Sequence, residues 1–195
     1  IPDEGDTITI RSGHTVNIPL GYTARFMKLE TESGSTINIL SGGLLWCWTT
    51  NTIPVSLRIA RFLHNGSVQG SSEIYFASKT NLSGSGTFSS TTTFKSNNIL
   101  TIENGADIEF PSTLFIQGGG DLIINSGSSL TLNKFYSASS ASIISNSGTL
   151  IFNSSDIFQT GQPSSLVFYN FPGSTVNYAA TTSIAGDFPV PFTAY

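Results

Sequence analysis

Gly34-Ser35-Thr36-Ile37-Asn38-Ile39 is one copy of a cassette that returns along the whole chain: a glycine, a small polar residue, then alternating polar and apolar positions. Close copies are Gly13-His14-Thr15-Val16-Asn17-Ile18, Gly105-Ala106-Asp107-Ile108-Glu109-Phe110, Gly127-Ser128-Ser129-Leu130-Thr131-Leu132 and Gly173-Ser174-Thr175-Val176-Asn177-Tyr178. Weaker copies start at Gly66, Gly86 and Gly148. The starting glycines lie 21, 32, 20, 19, 22, 21 and 25 positions apart, a period near 21 with its largest insertion in the second interval.

Each part of the cassette has a physical reading. Glycine opens a corner by taking a positive φ, where other residues are strained. Alternation at period two, with β-branched residues, then makes a strand buried on one side. Thr7-Ile8-Thr9-Ile10, Ile99-Leu100-Thr101-Ile102 and Leu122-Ile123-Ile124 supply further short strands between the cassettes. One rung of about 21 residues cannot bury its own apolar side, but stacked rungs turn inward Ile, Leu, Val and Phe into ladders.

The pattern predicts an all-β chain: a single-domain parallel β-helix, or solenoid, of about eight rungs over residues 1–195. An insertion is expected at 43–66, and rungs of this length without a hexapeptide repeat point to the right-handed form. The best helical run is Ala24-Arg25-Phe26-Met27-Lys28-Leu29-Glu30, but its alternation at a rung position reads as strand. An antiparallel sandwich also gives many short strands. It does not explain the repeated glycine cassette.

Composition fits a solenoid. Only 10% of residues are charged while 38% are hydrophobic, including 14 Phe, so a core is available and short polar side chains replace charge outside. The net charge of −4 and the scattered basic residues remove the electrostatic basis for nucleic-acid binding. No stretch approaches the roughly 20 apolar residues of a membrane-spanning helix. The chain opens at Ile1 and carries no signal peptide, which reads as a processed or excised piece, the N-terminal part of a longer protein.

The stretch Gly5-Asp6-Thr7-Ile8-Thr9-Ile10-Arg11-Ser12-Gly13-His14-Thr15-Val16-Asn17-Ile18 resembles the start of β-helical repeat regions in large secreted proteins of the Bacteroidetes. Gly173-Ser174-Thr175-Val176-Asn177-Tyr178 and Pro191-Phe192-Thr193-Ala194-Tyr195 are similar to other stretches of such proteins. The resemblance implies adhesin-like proteins exported to the cell surface, often by the type IX system. It also marks Asp6-Thr7-Ile8 as a pattern for O-glycosylation at Thr7. Repeat style carries this resemblance, so it bears on fold and export rather than on chemistry.

Catalysis on a solenoid needs acids converging from adjacent rungs, as in glycoside hydrolysis by a carboxylate pair. Past the N-terminal acids, only Asp107-x-Glu109 puts two on one strand side, pointing outward because Ile108 and Phe110 point in. Asp3-Glu4-Gly5-Asp6 lacks the ligand count of a calcium loop. His14 and His64 have no ligand partners at metal spacing, and no cofactor or metal is expected. The outward positions Asn17, Asn38, Glu109, Thr131 and Asn177 vary too much for a regular ice-binding array.

Leu44-Leu45-Trp46-Cys47-Trp48 is the most distinctive stretch. Alternation sets Cys47 on one side and both indoles on the other. The preferred register turns the tryptophans inward or under the loop that follows. The opposite register makes them an exposed platform for a sugar or a partner. Trp46 and Trp48, with Arg58 and Arg61 from the same interruption, form the candidate ligand-binding set.

The functional expectation is therefore a non-catalytic structural or adhesive segment of an exported bacterial cell-surface protein. One alternative is a carbohydrate-binding or polysaccharide-degrading β-helix module. Another is a secreted cargo or partner subunit of a larger surface or secretion assembly. Expected partners are surface glycans or proteins of such an assembly.

Overall fold

The computed structural model describes residues 7–40, 43–48, 59–70, 73–117, 119–137, 142–154, 167–178 and 192–194. Rungs one and two are β1 (Thr7–Ile10), β2 (Thr15–Ile18), β3 (Thr23–Phe26), then β4 (Lys28–Thr31), β5 (Thr36–Ile39), β6 (Leu44–Cys47). Rungs three and four are β7 (Ala60–His64), β8 (Ser67–Gln69), β9 (Glu73–Phe76), then β10 (Thr80–Gly84), β11 (Thr87–Phe88), β12 (Thr93–Ser96). In rungs five and six, β13 (Leu100–Ile102) and β15 (Leu122–Ile124) precede the long strands β14 (Asp107–Ile116) and β16 (Ser129–Ser137). Then come β17 (Ile143–Asn146), β18 (Thr149–Phe152), β19 (Val167–Asn170), β20 (Thr175–Tyr178) and β21 (Phe192–Ala194).

Every strand pairing is parallel between successive rungs, which makes a three-faced solenoid. The first face is a nine-stranded sheet from β1 to β21. The second begins as β2, β5, β8 and β11, and the third as β3, β6, β9 and β12. β14 and β16 run through the corner between these two faces, with a register shift between Phe110 and Thr113, so one continuous strand serves both. Pro111, which has no N–H to donate, sits in that irregularity. Six turns show all three faces among the described residues, against the eight rungs read from the sequence. The next two show only their first and second faces there, and β21 adds one first-face strand beyond them. The run Ala24–Glu30 is strand as expected, though interrupted at Met27, where the chain passes from the third face to the first.

Registers give the length of each turn. Thr7 pairs with Lys28, 21 positions on, and Thr80 with Leu100, 20 positions on. Lys28 pairs with Arg61, 33 positions on. Within 43–66, Leu44–Cys47 and Ala60–His64 are regular strands, so the added length falls between them, and residues 49–58 lie outside the described residues.

The corner between first and second faces explains the cassette. Gly13, Gly34, Gly105, Gly127 and Gly173 all have φ between 72° and 84°. In each, the residue after glycine donates its N–H to the carbonyl three positions back, as Ser35 does to Glu32 at 3.0 Å, closing a four-residue turn. The serine hydroxyl adds a bond to the same carbonyl, 2.7 Å at Ser35 and 2.6 Å at Ser128, which accounts for Gly-Ser rather than glycine alone. The weaker copies differ: Gly66, Gly86 and Gly148 are not in the left-handed region, because their corners are shorter. Glycine is needed there for space. A Cβ on Gly148 would lie 2.4 Å from the Asn125 carbonyl and 2.5 Å from that of Ser128, whereas one on Gly13 meets nothing within 4 Å. Gly13→Ala is expected to cost about 1 kcal/mol of backbone strain. Gly148→Ala should cost more, about 2–3 kcal/mol, because two backbone carbonyls must move. Urea unfolding of the two variants checks the order.

Inside, the columns read along the registers. Leu29, Phe62, Leu82, Ile102 and Ile124 stack on the first face, and Ile37 and Val68, then Ile108, Leu130 and Leu150, line the second. Leu45, Ile74, Phe94, Leu114 and Phe135 stack on the third, and all of these are buried. Buried Asn146 is bonded on both sides of its amide, through Nδ2 to Asn170 Oδ1 at 2.8 Å and through Oδ1 to the Gly148 N–H at 3.1 Å.

Candidate functional site

The outward side of the third face carries one column across six rungs: Arg25, Trp46, Tyr75, Lys95, Phe115 and Tyr136 are successive register partners. Trp46 and Tyr75 have ring centroids 5.5 Å apart, as do Phe115 and Tyr136. That separation is close to the spacing of about 4.8 Å between paired strands. The column is therefore a consequence of stacking equivalent positions.

The indoles face out because Cys47 faces in. Cys47 has no exposed surface, and its register partners Phe26 and Phe76 are buried phenylalanines. A small thiol fits the inward slot between two such rings, and an indole does not. This corrects the inward register preferred from sequence. Burial holds the Cys47 thiol well above its ordinary pKa, so it stays neutral and unreactive.

Trp48 is 40% exposed and Trp46 half-buried. The Arg25 guanidinium lies 5.2 Å from the Trp46 ring centroid and 5.7 Å from that of Trp48, a cation shared by two indoles. No carboxylate pairs with Arg25 among the described residues, where the ion pair is Lys95 Nζ to Glu73 Oε2 at 2.6 Å. Trp46 Nε1 is buried without a hydrogen-bond partner among the described residues.

The other sequence-predicted residues lie elsewhere. Arg58 falls outside the described residues. Arg61 is exposed on the first face beside Lys28, lining an open depression with Thr7, Glu30, Ser83 and Glu103, and does not join the tryptophans. Thr7 is exposed at the outer side of β1. Asp107 and Glu109 point out from the second face, with Ile108 and Phe110 fully buried between and beyond them. They line an open depression of about 600 Å³ with Ser85, Thr87, Ser129 and Thr131. His14 is an exposed corner residue with Nδ1 3.1 Å from the Ser12 carbonyl, and His64 is sealed in the core. No group of His, Cys, Asp or Glu able to hold a metal occurs among the described residues, and no helix long and apolar enough to cross a membrane occurs among them.

Sequence reasoning missed Arg25, Tyr75, Phe115 and Tyr136. The 21-residue period links Arg25 to Trp46, but the longer turn sets Tyr75 29 positions beyond Trp46, off the period. Comparison of the chain with protein-family models, curated proteins and solved structures finds no match.

Proposed function

We propose that this chain is a non-catalytic presenting segment of an exported bacterial cell-surface protein, a wall whose outer columns stay in register over several rungs. The observation that carries the reading is the persistence of outward columns in register. Thr15, Thr36 and Ser67 align on the second face, and Asn17 Oδ1 accepts from the Asn38 amide at 3.0 Å. On the third face the aromatic and cationic column runs from Arg25 to Tyr136. Continuous parallel pairing makes such a wall stiff, since each rung is held by the next. The resemblance of Gly5–Ile18 to secreted repeat regions supports export.

A carbohydrate-binding module is the second reading, favoured by Arg25, Trp46, Trp48 and Tyr75 on one face. Its polysaccharide-degrading form is less supported, because Asp107 and Glu109 stand on a different face from the tryptophans. Protease added to intact cells of the source organism is expected to cleave this segment. Protection until the cells are lysed would defeat the surface-presenting reading.

A further inference from the structure

The third face combines three features that together ask for one kind of ligand. The first is a run of aromatic surface: Trp46 and Tyr75 at 5.5 Å with Trp48 alongside, open at its Trp48 end. Sugar rings present flat apolar C–H faces, and aromatic rings are the side chains that match them. The second is an excess of donors. The Arg25 guanidinium offers several planar N–H groups and has no carboxylate partner among the described residues. The third is charge. Among the described residues Lys95 on this face is paired with Glu73, which leaves the exposed Arg25 guanidinium beside the indoles as a positive charge on a chain whose net charge is −4.

We propose that the Arg25–Trp46–Trp48–Tyr75 platform binds an acidic polysaccharide strand, lying across the rungs with sugar faces on the rings and a carboxylate or sulfate on Arg25. A neutral glycan would leave the cation unanswered, and a nucleic-acid strand would need the clustered basic residues this chain lacks. The inference rests on the surface-presenting reading for its biological setting, but not for its chemistry. Protease protection on cells would remove the setting, and the binding measurement below would stand.

Trp46 and Trp48 are the only tryptophans in the chain, so intrinsic tryptophan fluorescence reports this platform alone. Titration with oligogalacturonate, with a sulfated dextran and with unmodified dextran separates carboxylate, sulfate and neutral sugar. A saturable change with at least one acidic chain and none with unmodified dextran is expected, weakening as salt screens the Arg25 contact. Arg25→Gln should reduce affinity at least tenfold with an unchanged urea midpoint, because Arg25 is exposed. Tyr75→Ala should weaken it severalfold, and Arg61→Gln on the first face should leave it unchanged. Equal response to neutral dextran, no response to either acidic chain, or full affinity in Arg25→Gln would overturn the proposal.

Discussion

Replacing Phe110 with alanine is expected to destabilise the solenoid by about 3–5 kcal/mol, the range for a fully buried phenylalanine whose neighbours cannot collapse into the space. Phe110 has no exposed surface and closes a seam of rings contributed by different faces. Its centroid lies 4.3 Å from Phe94 on the third face, 5.9 Å from Phe88 on the second and 6.5 Å from Phe76. The seam continues from Phe88 through Phe62 of the first face, at 6.4 Å, to Phe26 at 5.4 Å. The neighbours are fixed in parallel ladders on both sides, so the cavity stays largely open. Urea unfolding followed by tyrosine and tryptophan signals measures the loss. Val16→Ala, at a position 42% exposed on the first rung, should cost under about 1 kcal/mol. Similar costs for the two variants would mean that the core does not hold the rungs together as described.

Lowering the pH from 7 to 5 is expected to remove about 2 kcal/mol of stability through His64 alone. His64 is fully buried, and burial lowers its pKa to about 4, an effect partly offset by its bond to the Thr87 carbonyl. Nε2 lies 3.2 Å from that carbonyl, which can only accept, so Nε2 carries the hydrogen. Nδ1 then accepts from the Thr31 hydroxyl at 2.9 Å, while Thr31 Oγ1 accepts from the N–H groups of Asn65 and Gly66. The ring is packed against Phe62 and Phe88, and a Cβ on Gly86 would come within 2.4 Å of it. Protonation would put a second hydrogen toward a hydroxyl that is already donating.

The sign follows from linkage. Above the unfolded pKa of about 6.5 neither state binds the proton. Between that value and about 4 the unfolded chain binds it and the folded chain does not, so stability falls as pH falls. Below the folded value both bind it and no more is lost. His64→Gln keeps a polar group and cannot titrate, so its stability should fall less than the wild type's over the same interval. Parallel pH profiles for the two proteins would show that the ring is not held neutral.

Much of this was legible in the chain. The five strong cassettes predict their own corners: each glycine has the positive φ its position called for, and each following residue closes the turn. The inward residues Ile37, Ile39, Ile108, Phe110, Leu130 and Leu132 follow from alternation after those glycines, and all are buried. The weak copies at Gly66, Gly86 and Gly148 mark the same corner for a different reason, which a pattern of residue types does not distinguish. Their need for glycine comes from carbonyls or a ring on another turn of the chain.

The candidate face was less legible. Period-two alternation says that Cys47 and the tryptophans lie on opposite sides, but not which side is in. That choice depends on the slot between Phe26 and Phe76, residues 21 positions before and 29 after Cys47. Likewise Arg25 and Tyr75 join Trp46 only through register across a lengthened turn.

The repeat by itself therefore determined the parallel β-solenoid, the corner chemistry and most of the core, because these depend on local backbone freedom and local alternation. Only the tertiary structure decided that Cys47 turns in and the indoles turn out beneath Arg25, and that phenylalanines of the first and second faces close on a neutral histidine. These outcomes, with Phe62 and Phe88 directly against the histidine, depend on how neighbouring turns fill a shared slot, and close packing between turns is a property of the stack rather than of any one cassette.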